Sequence, residues 1–329
     1  MASASTSPFF LVGNDRSGTT LLRLVLDRGS VAIPPESMFL ADFAPVRQRG
    51  GLEDPAQAER LMRAIWNHPR VRLWNLPGEA PPVPSGLGHE EAYRFIVSAP
   101  FEAYARKEEK PHWADKTPLY LRYVEEIDAI WPGARFVIVV RDGRDVALSV
   151  MRVPFGANNV WAAARAWAHG IRLGLEAERR HPDRVVTVRY EDLVARPAEE
   201  GARVSEFLGL EFREEMLEIE RTDPDKILKE QAGWFTNVWA GINASAVGKW
   251  KREMTPAQQR LFARVAGPEL EAVGYEAGEP ASVAGLRTAA YAGHDAAMRG
   301  INFVRLRLLQ ERGREVRYVL KRKLAGAWR

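Results

Sequence analysis

Residues Pro8 to Asp27 read PFFLVGNDRSGTTLLRLVLD. An apolar run breaks at Gly13, gives way to Arg16, Ser17, Gly18, Thr19 and Thr20, and resumes with Leu21, Leu22 and Val25 at helical spacing. That order predicts strand, tight loop, helix. The first N–H groups of a helix have no intrahelical partner, so a glycine-containing loop that runs into a helix start cradles anions. Arg16 adds a planar fork of donors, and Ser17, Thr19 and Thr20 add hydroxyls. The expected guest is a phosphate or a sulfate.

The spacing from Gly13 to Gly18 satisfies the first part of the Walker pattern G-x-x-x-x-G-K-[ST], but Thr19 stands at the lysine position and the charge has moved to Arg16, inside the loop. An ordinary ATPase or kinase is disfavoured. A plain strand-to-helix turn with a surface arginine stays open on these residues alone.

A chain of 329 residues can bury a sizeable core. It has no cysteine, which rules out disulfides and thiolate metal sites. The N-terminal MASASTSPFF has no basic, apolar signal pattern, and no later stretch approaches a membrane-spanning length, so a cytoplasmic location is expected. Charge is uneven. Residues 296–329 carry ten Lys or Arg and two Asp or Glu, net +8 against +4 for the whole chain, which leaves residues 1–295 at net −4.

Downstream, Pro34 and Pro35 hold the chain extended before Glu36, which reads either as a helix-start residue or as a ligand-edge carboxylate. Residues 41–110 form an excursion, with helical patterns at 57–66 and 90–109 around a connection holding Pro77, Pro81, Pro82 and Pro84. That connection reads as an exposed loop or an acceptor-side lid. Lys116 falls in a turn ahead of Pro118, where a solvated lysine is the plain alternative. Phe136 to Val140 predict a strand buried on both faces, ending at Arg141, with Ser149 on the helix that follows. An arginine and a serine so placed can grip a second anion, or the arginine can be a structural ion-pair partner. Residues 158–180 give a helix whose Trp161 and Trp167 suit a core face. Val185 to Val188 predict another strand before Tyr190, Glu191 and Asp192. Trp234, Phe235 and Trp239 read as an acceptor wall or as core. The body is expected to end near residue 275. Residues 276–292 read as a linker, and the rest as a basic amphipathic helical tail.

The loop GNDRSGTT resembles the phosphosulfate-binding loop of sulfotransferases that use 3′-phosphoadenosine 5′-phosphosulfate, in the form of the protein-tyrosine and bacterial branch. Later positions resemble the same family in the same order: Glu36, the DKTP turn at Lys116, the Arg141/Ser149 pair and the YEDL block at Tyr190. The resemblance spans roughly residues 8–275 with gaps through the excursion. It implies an α/β fold, a P-loop-like three-layer sandwich around a mostly parallel sheet. It further implies Glu36 as general base, Lys116 as support for the departing phosphate oxygen, and Arg16 with Ser17, Gly18, Thr19 and Thr20 around the 5′-phosphosulfate. Arg141 and Ser149 would hold the 3′-phosphate, Tyr190 would stack near the adenine, and Ser245 and Lys249 would lie in the segment over the nucleotide. The R-K-G triplet of the cytosolic enzymes is missing, so its contacts do not transfer.

The expected reaction is sulfuryl transfer from 3′-phosphoadenosine 5′-phosphosulfate, without a metal, to a hydroxyl of a small molecule, glycan or lipid. A small-molecule kinase and a noncatalytic nucleotide-binding module are the alternatives. The basic tail can meet an acidic partner or membrane surface, or pack on the body. Nucleic acid is not expected, and a homo-oligomer stays open.

Overall fold

A computed structural model describes residues 7–153, 156–221, 241–282 and 285–309. The expected strand–loop–helix unit is β1 (Phe9–Gly13) followed by α1 (Thr19–Asp27). After β2 (Val31–Ala32) the excursion supplies α2 (Phe39–Arg49), α3 (Pro55–Trp66), α4 (Pro69–Arg72) and α5 (His89–Lys107). Then come β3 (His112–Lys116), a 3-10 turn at Pro118–Tyr123, α6 (Val124–Ile130), β4 (Arg135–Val140), α7 (Gly143–Val150) and α8 (Val160–Arg180). The unit β5 (Val185–Arg189), α9 (Tyr190–Ala195) and α10 (Pro197–Leu208) follows.

Among the described residues the strands form one five-stranded sheet in the order β2-β3-β1-β4-β5. Every pairing is parallel, with Leu11 opposite Lys116 and Gly13 opposite Val139. The central strands are apolar throughout because both faces are covered. Phe10, Val12, Phe136, Ile138 and Val140 face the larger core under the excursion and α8. Phe9, Leu11, Val137 and Val139 face a smaller core built with α1, α9 and α10. This is the α/β, P-loop-like, three-layer fold that the resemblance implied.

At one edge of the sheet β2 is only two residues long. At the other, β5 has its Thr187 carbonyl taken by Arg203 Nη2 at 3.0 Å. The proline-rich connection is largely exposed, and Val83 N–H ties it to Glu59 Oε1 at 2.7 Å.

The expected linker differs from the fold at its C-terminal part, because a helix already begins at Gly285 and runs to Leu309. Asn158 N–H donates to Asp295 Oδ1 at 2.9 Å, and Asn159 Nδ2 to the Tyr291 carbonyl at 2.9 Å. The Ala/Gly composition that reads as loose also contains the best helix former and lets a helix approach its neighbour closely. Trp234, Phe235 and Trp239, together with residues 310–329 of the tail, lie outside the described residues.

Candidate active site

The loop between β1 and α1 is held by its own backbone. Gly13 sits so close to β4 that a Cβ there would lie 2.5 Å from the Val139 carbonyl oxygen. Asn14 Nδ2 donates to the Trp167 carbonyl at 3.2 Å, and the Asn14 carbonyl accepts from Ser17 N–H at 3.2 Å and Ser17 Oγ at 2.6 Å. The Ser17 hydroxyl is therefore spent on shaping the loop. Arg16 adopts φ 69°, a left-handed conformation rare outside glycine, and Gly18 adopts φ 101°. Gly18 is the N-cap of α1 and supplies no side-chain acceptor, so the first-turn N–H groups beside Thr19 and Thr20 keep the anion-binding capacity of a helix start.

Arg16 and Asp15, at the loop tip, serve opposite sides. The Arg16 side chain reaches α7, where Nε donates to Ser149 Oγ at 3.0 Å. Burial, then the charge of Arg141, holds its guanidinium below the usual arginine range. Asp15 belongs to the other side, where Glu36 and Lys116 act on its carboxyl group.

Arg141, at the end of β4, donates Nη1 to the Arg16 carbonyl at 3.3 Å and Nη2 to the Ala246 carbonyl at 2.5 Å. Its Nε is buried with no hydrogen-bond partner among the described residues. The guanidinium lies 4.7 Å from the centre of the Tyr190 ring. Segment 246–250 is seated on α7 by Asp145, which accepts from Gly248 N–H at 2.7 Å and Trp250 N–H at 2.9 Å. Arg144 adds to the seat: its fork meets Asp142 at 2.9 and 2.8 Å, and its guanidinium lies 3.6 Å from the Trp250 ring centre. Lys249 is half-buried between these anchors and Ser245 is exposed.

On the other flank, Lys116 ends β3 in register with Leu11, and its Nζ lies 2.7 Å from Glu36 Oε1. Two turns are knitted together around this pair. Ser37 N–H donates to Thr117 Oγ1 at 3.1 Å, the Ser37 hydroxyl bonds Asp115 and lies 2.8 Å from the Tyr120 hydroxyl, and Leu40 N–H donates to that tyrosine oxygen at 3.0 Å. Burial alone would raise the Glu36 carboxyl. The charge and hydrogen bond of Lys116, aided by Arg70 and Arg23, outweigh it and hold Glu36 below the usual carboxylate range. Burial pushes the Lys116 ammonium down, and Glu36 offsets only part of that. Asp115 is pushed up to about 6 by burial, against the hydrogen bonds from Ser37 and Thr117.

The fold thus brings Arg16, Ser17, Gly18, Thr19, Thr20, Arg141, Ser149 and Tyr190 around one loop, with Glu36 and Lys116 on its other flank. Ser245 and Lys249 lie on the segment that touches Arg141, and their side chains make no hydrogen bond among the described residues. Sequence reading missed Asp145, Arg144, Ser37, Asp115 and the arginines Arg23 and Arg70. The signals for some were present, since Asp115 adjoins Lys116, Ser37 adjoins Glu36, and RDGRD carries a second arginine and a second aspartate. A cavity of about 430 Å³ lies apart from this chemistry, between α8 and the sheet, and meets the loop only at Gly13 and Asn14.

The solved sulfotransferase domain of the Synechococcus PCC 7002 olefin synthase superposes with a TM-score of 0.57 at 23% identity, over 84% of this chain and 98% of that one. The sulfotransferase domain of the curacin biosynthetic pathway gives 0.55 at 19% identity, over 83% and 99%. Both share the fold. The Drosophila melanogaster protein-tyrosine sulfotransferase is 26% identical over 278 residues, covering 81% of this chain and 51% of the fly protein, so the chain spans about half of that relative's length. The profile of the Sulfotransferase family matches residues 8–214, from the first residues of β1 past the end of α10. With that match over more than half its length, and with the loop, the Glu36–Lys116 pair and the Arg141 cluster in one place, the chain belongs to the sulfotransferase family.

Proposed function

We propose that the protein transfers the sulfuryl group of 3′-phosphoadenosine 5′-phosphosulfate to a hydroxyl of a small molecule, glycan or lipid, with Glu36 as general base. The observation that carries this reading is the meeting of two units on one loop: the Arg16–Ser149 bond beside the uncapped start of α1, and Glu36 paired with Lys116, which stands in register with β1. The donor's two anionic ends fit the residues present. The α1 N–H groups, Arg16, Thr19 and Thr20 would take the 5′-phosphosulfate. The buried Nε of Arg141 is a donor that an oxygen of the 3′-phosphate would satisfy.

The acceptor oxygen attacks sulfur while the bond from sulfur to the bridging oxygen of the 5′-phosphate breaks. Glu36 accepts the hydroxyl proton, and the Lys116 ammonium meets the charge that develops on the bridging oxygen. Because Lys116 holds Glu36 below the usual carboxylate range, Glu36 is a weak base toward an alcohol. Proton transfer is therefore late, after bonding to sulfur has acidified the hydroxyl. The test is calorimetric titration with 3′-phosphoadenosine 5′-phosphate, ATP and AMP in metal-free buffer, followed by transfer of labelled sulfate to a panel of alcohols and phenols. Preference for the bisphosphate together with labelled product supports the reading. Equal binding of the three nucleotides overturns the donor assignment.

A further inference from the structure

We infer that Tyr190 is a positioning residue, a ring wedged between Gly18 and Arg141 that fixes the 3′-phosphate arginine against the sulfate-side loop, and that it is not a platform for the adenine. The inference rests on the donor reading above. A Cβ at Gly18 would lie 2.4 Å from Tyr190 Cδ2 and 3.0 Å from Cε2, so the ring already occupies the volume beside the loop glycine. The Arg141 guanidinium stands 4.7 Å from the ring centre. The residue is 8% exposed, which leaves little of the ring for a base to cover.

Backbone geometry places the ring there. Tyr190 is the first residue of α9, directly after the edge strand β5, and among the described residues β5 pairs only with β4, the strand that delivers Arg141. The same guanidinium donates to the carbonyls of Arg16 and Ala246. One arginine therefore joins the loop, the 246–250 segment and the Tyr190 face. A cation held over an aromatic face keeps its in-plane N–H groups free to point at ligand oxygens.

The two roles for Tyr190 separate with two nucleotides. The 3′,5′-bisphosphate and AMP share the adenosine and the 5′-phosphate, and only the first carries the group assigned to Arg141. Titration calorimetry of the full chain with both, for wild type, Tyr190→Phe and Tyr190→Leu, reads the difference, with circular dichroism as the folding control. Tyr190→Leu is expected to lower bisphosphate affinity about tenfold or more, the scale of a desolvated cation–π contact, while AMP affinity stays within about threefold. Tyr190→Phe keeps the ring and is expected to stay within about threefold for both. An equal loss for the two nucleotides in Tyr190→Leu makes the ring a base platform and overturns the inference while leaving the donor reading intact. Unchanged bisphosphate affinity in a folded Tyr190→Leu overturns it as well. A wild-type chain with no preference for the bisphosphate defeats the donor reading and this inference together.

Discussion

Glu36 and Lys116 form a close ion pair, so removing the charge of one alters the other. Glu36→Gln is expected to cut sulfuryl transfer by about a hundredfold or more, the scale of general base catalysis, while bisphosphate affinity measured by calorimetry stays within about threefold. A second prediction concerns Asp115. Its folded carboxyl titrates at about 6 against 3.8 for the free side chain, so between those values the fold holds a proton that the unfolded chain has released. Its contribution is most favourable below about pH 4 and is lost as the pH rises through about 6, in total about 3 kcal/mol. Urea unfolding of wild type and Asp115→Asn from pH 4 to 7 checks this, and the variant should lack that slope. At this scale the sequence displayed the charged participants but not their supports. Arg16, Glu36, Lys116 and Arg141 each stand at a strand end or turn that the chain's patterning marks. The Ser37–Asp115–Tyr120 network joins residues about 80 positions apart with no periodicity linking them.

Gly18 carries two demands at once, the positive φ that begins α1 and the space that the Tyr190 ring fills. Gly18→Ala is expected to destabilise the fold by about 2–4 kcal/mol, from left-handed backbone strain plus overpacking, and to abolish measurable bisphosphate binding. Thermal unfolding and calorimetry together check it. The seat of segment 246–250 gives a second prediction. Asp145→Ala strips an acceptor from two backbone N–H groups, and is expected to cost about 2 kcal/mol or more and to weaken the bisphosphate through Arg141. Elements were legible where a helix face is apolar over several turns, as in α8, or where an apolar run is continuous, as in β4. The helix at Gly285 was not, because alanine and glycine carry little hydrophobic contrast and its docking depends on Asn158, Asn159 and Asp295.

The molecule as a whole is a sheet with unlike coverings: the excursion and α8 on one face, α1, α9 and α10 on the other. The order β2-β3-β1-β4-β5 was not written in the sequence, since continuous apolar runs mark strands but not neighbours. The C-terminal helix joins this body through Asp295. Burial would raise that carboxyl, and hydrogen bonds from Asn158 and Arg299 outweigh it and hold it below the usual range. Its contribution is present above the free aspartate value and lost as the pH falls through the lower folded one. Asp295→Ala is therefore expected to speed limited proteolysis between residues 276 and 284 at pH 7, with the cleavage site read by mass spectrometry. The two ends of the sheet have a further consequence. A parallel sheet that stops in the open offers unpaired carbonyls and N–H groups to the strand of any other chain. Among the described residues one margin is two residues long, and the other has the Arg203 guanidinium laid on its middle carbonyl. Strand addition there would have to displace Arg203, so the fold carries its own guard against edge-to-edge aggregation in a crowded solution.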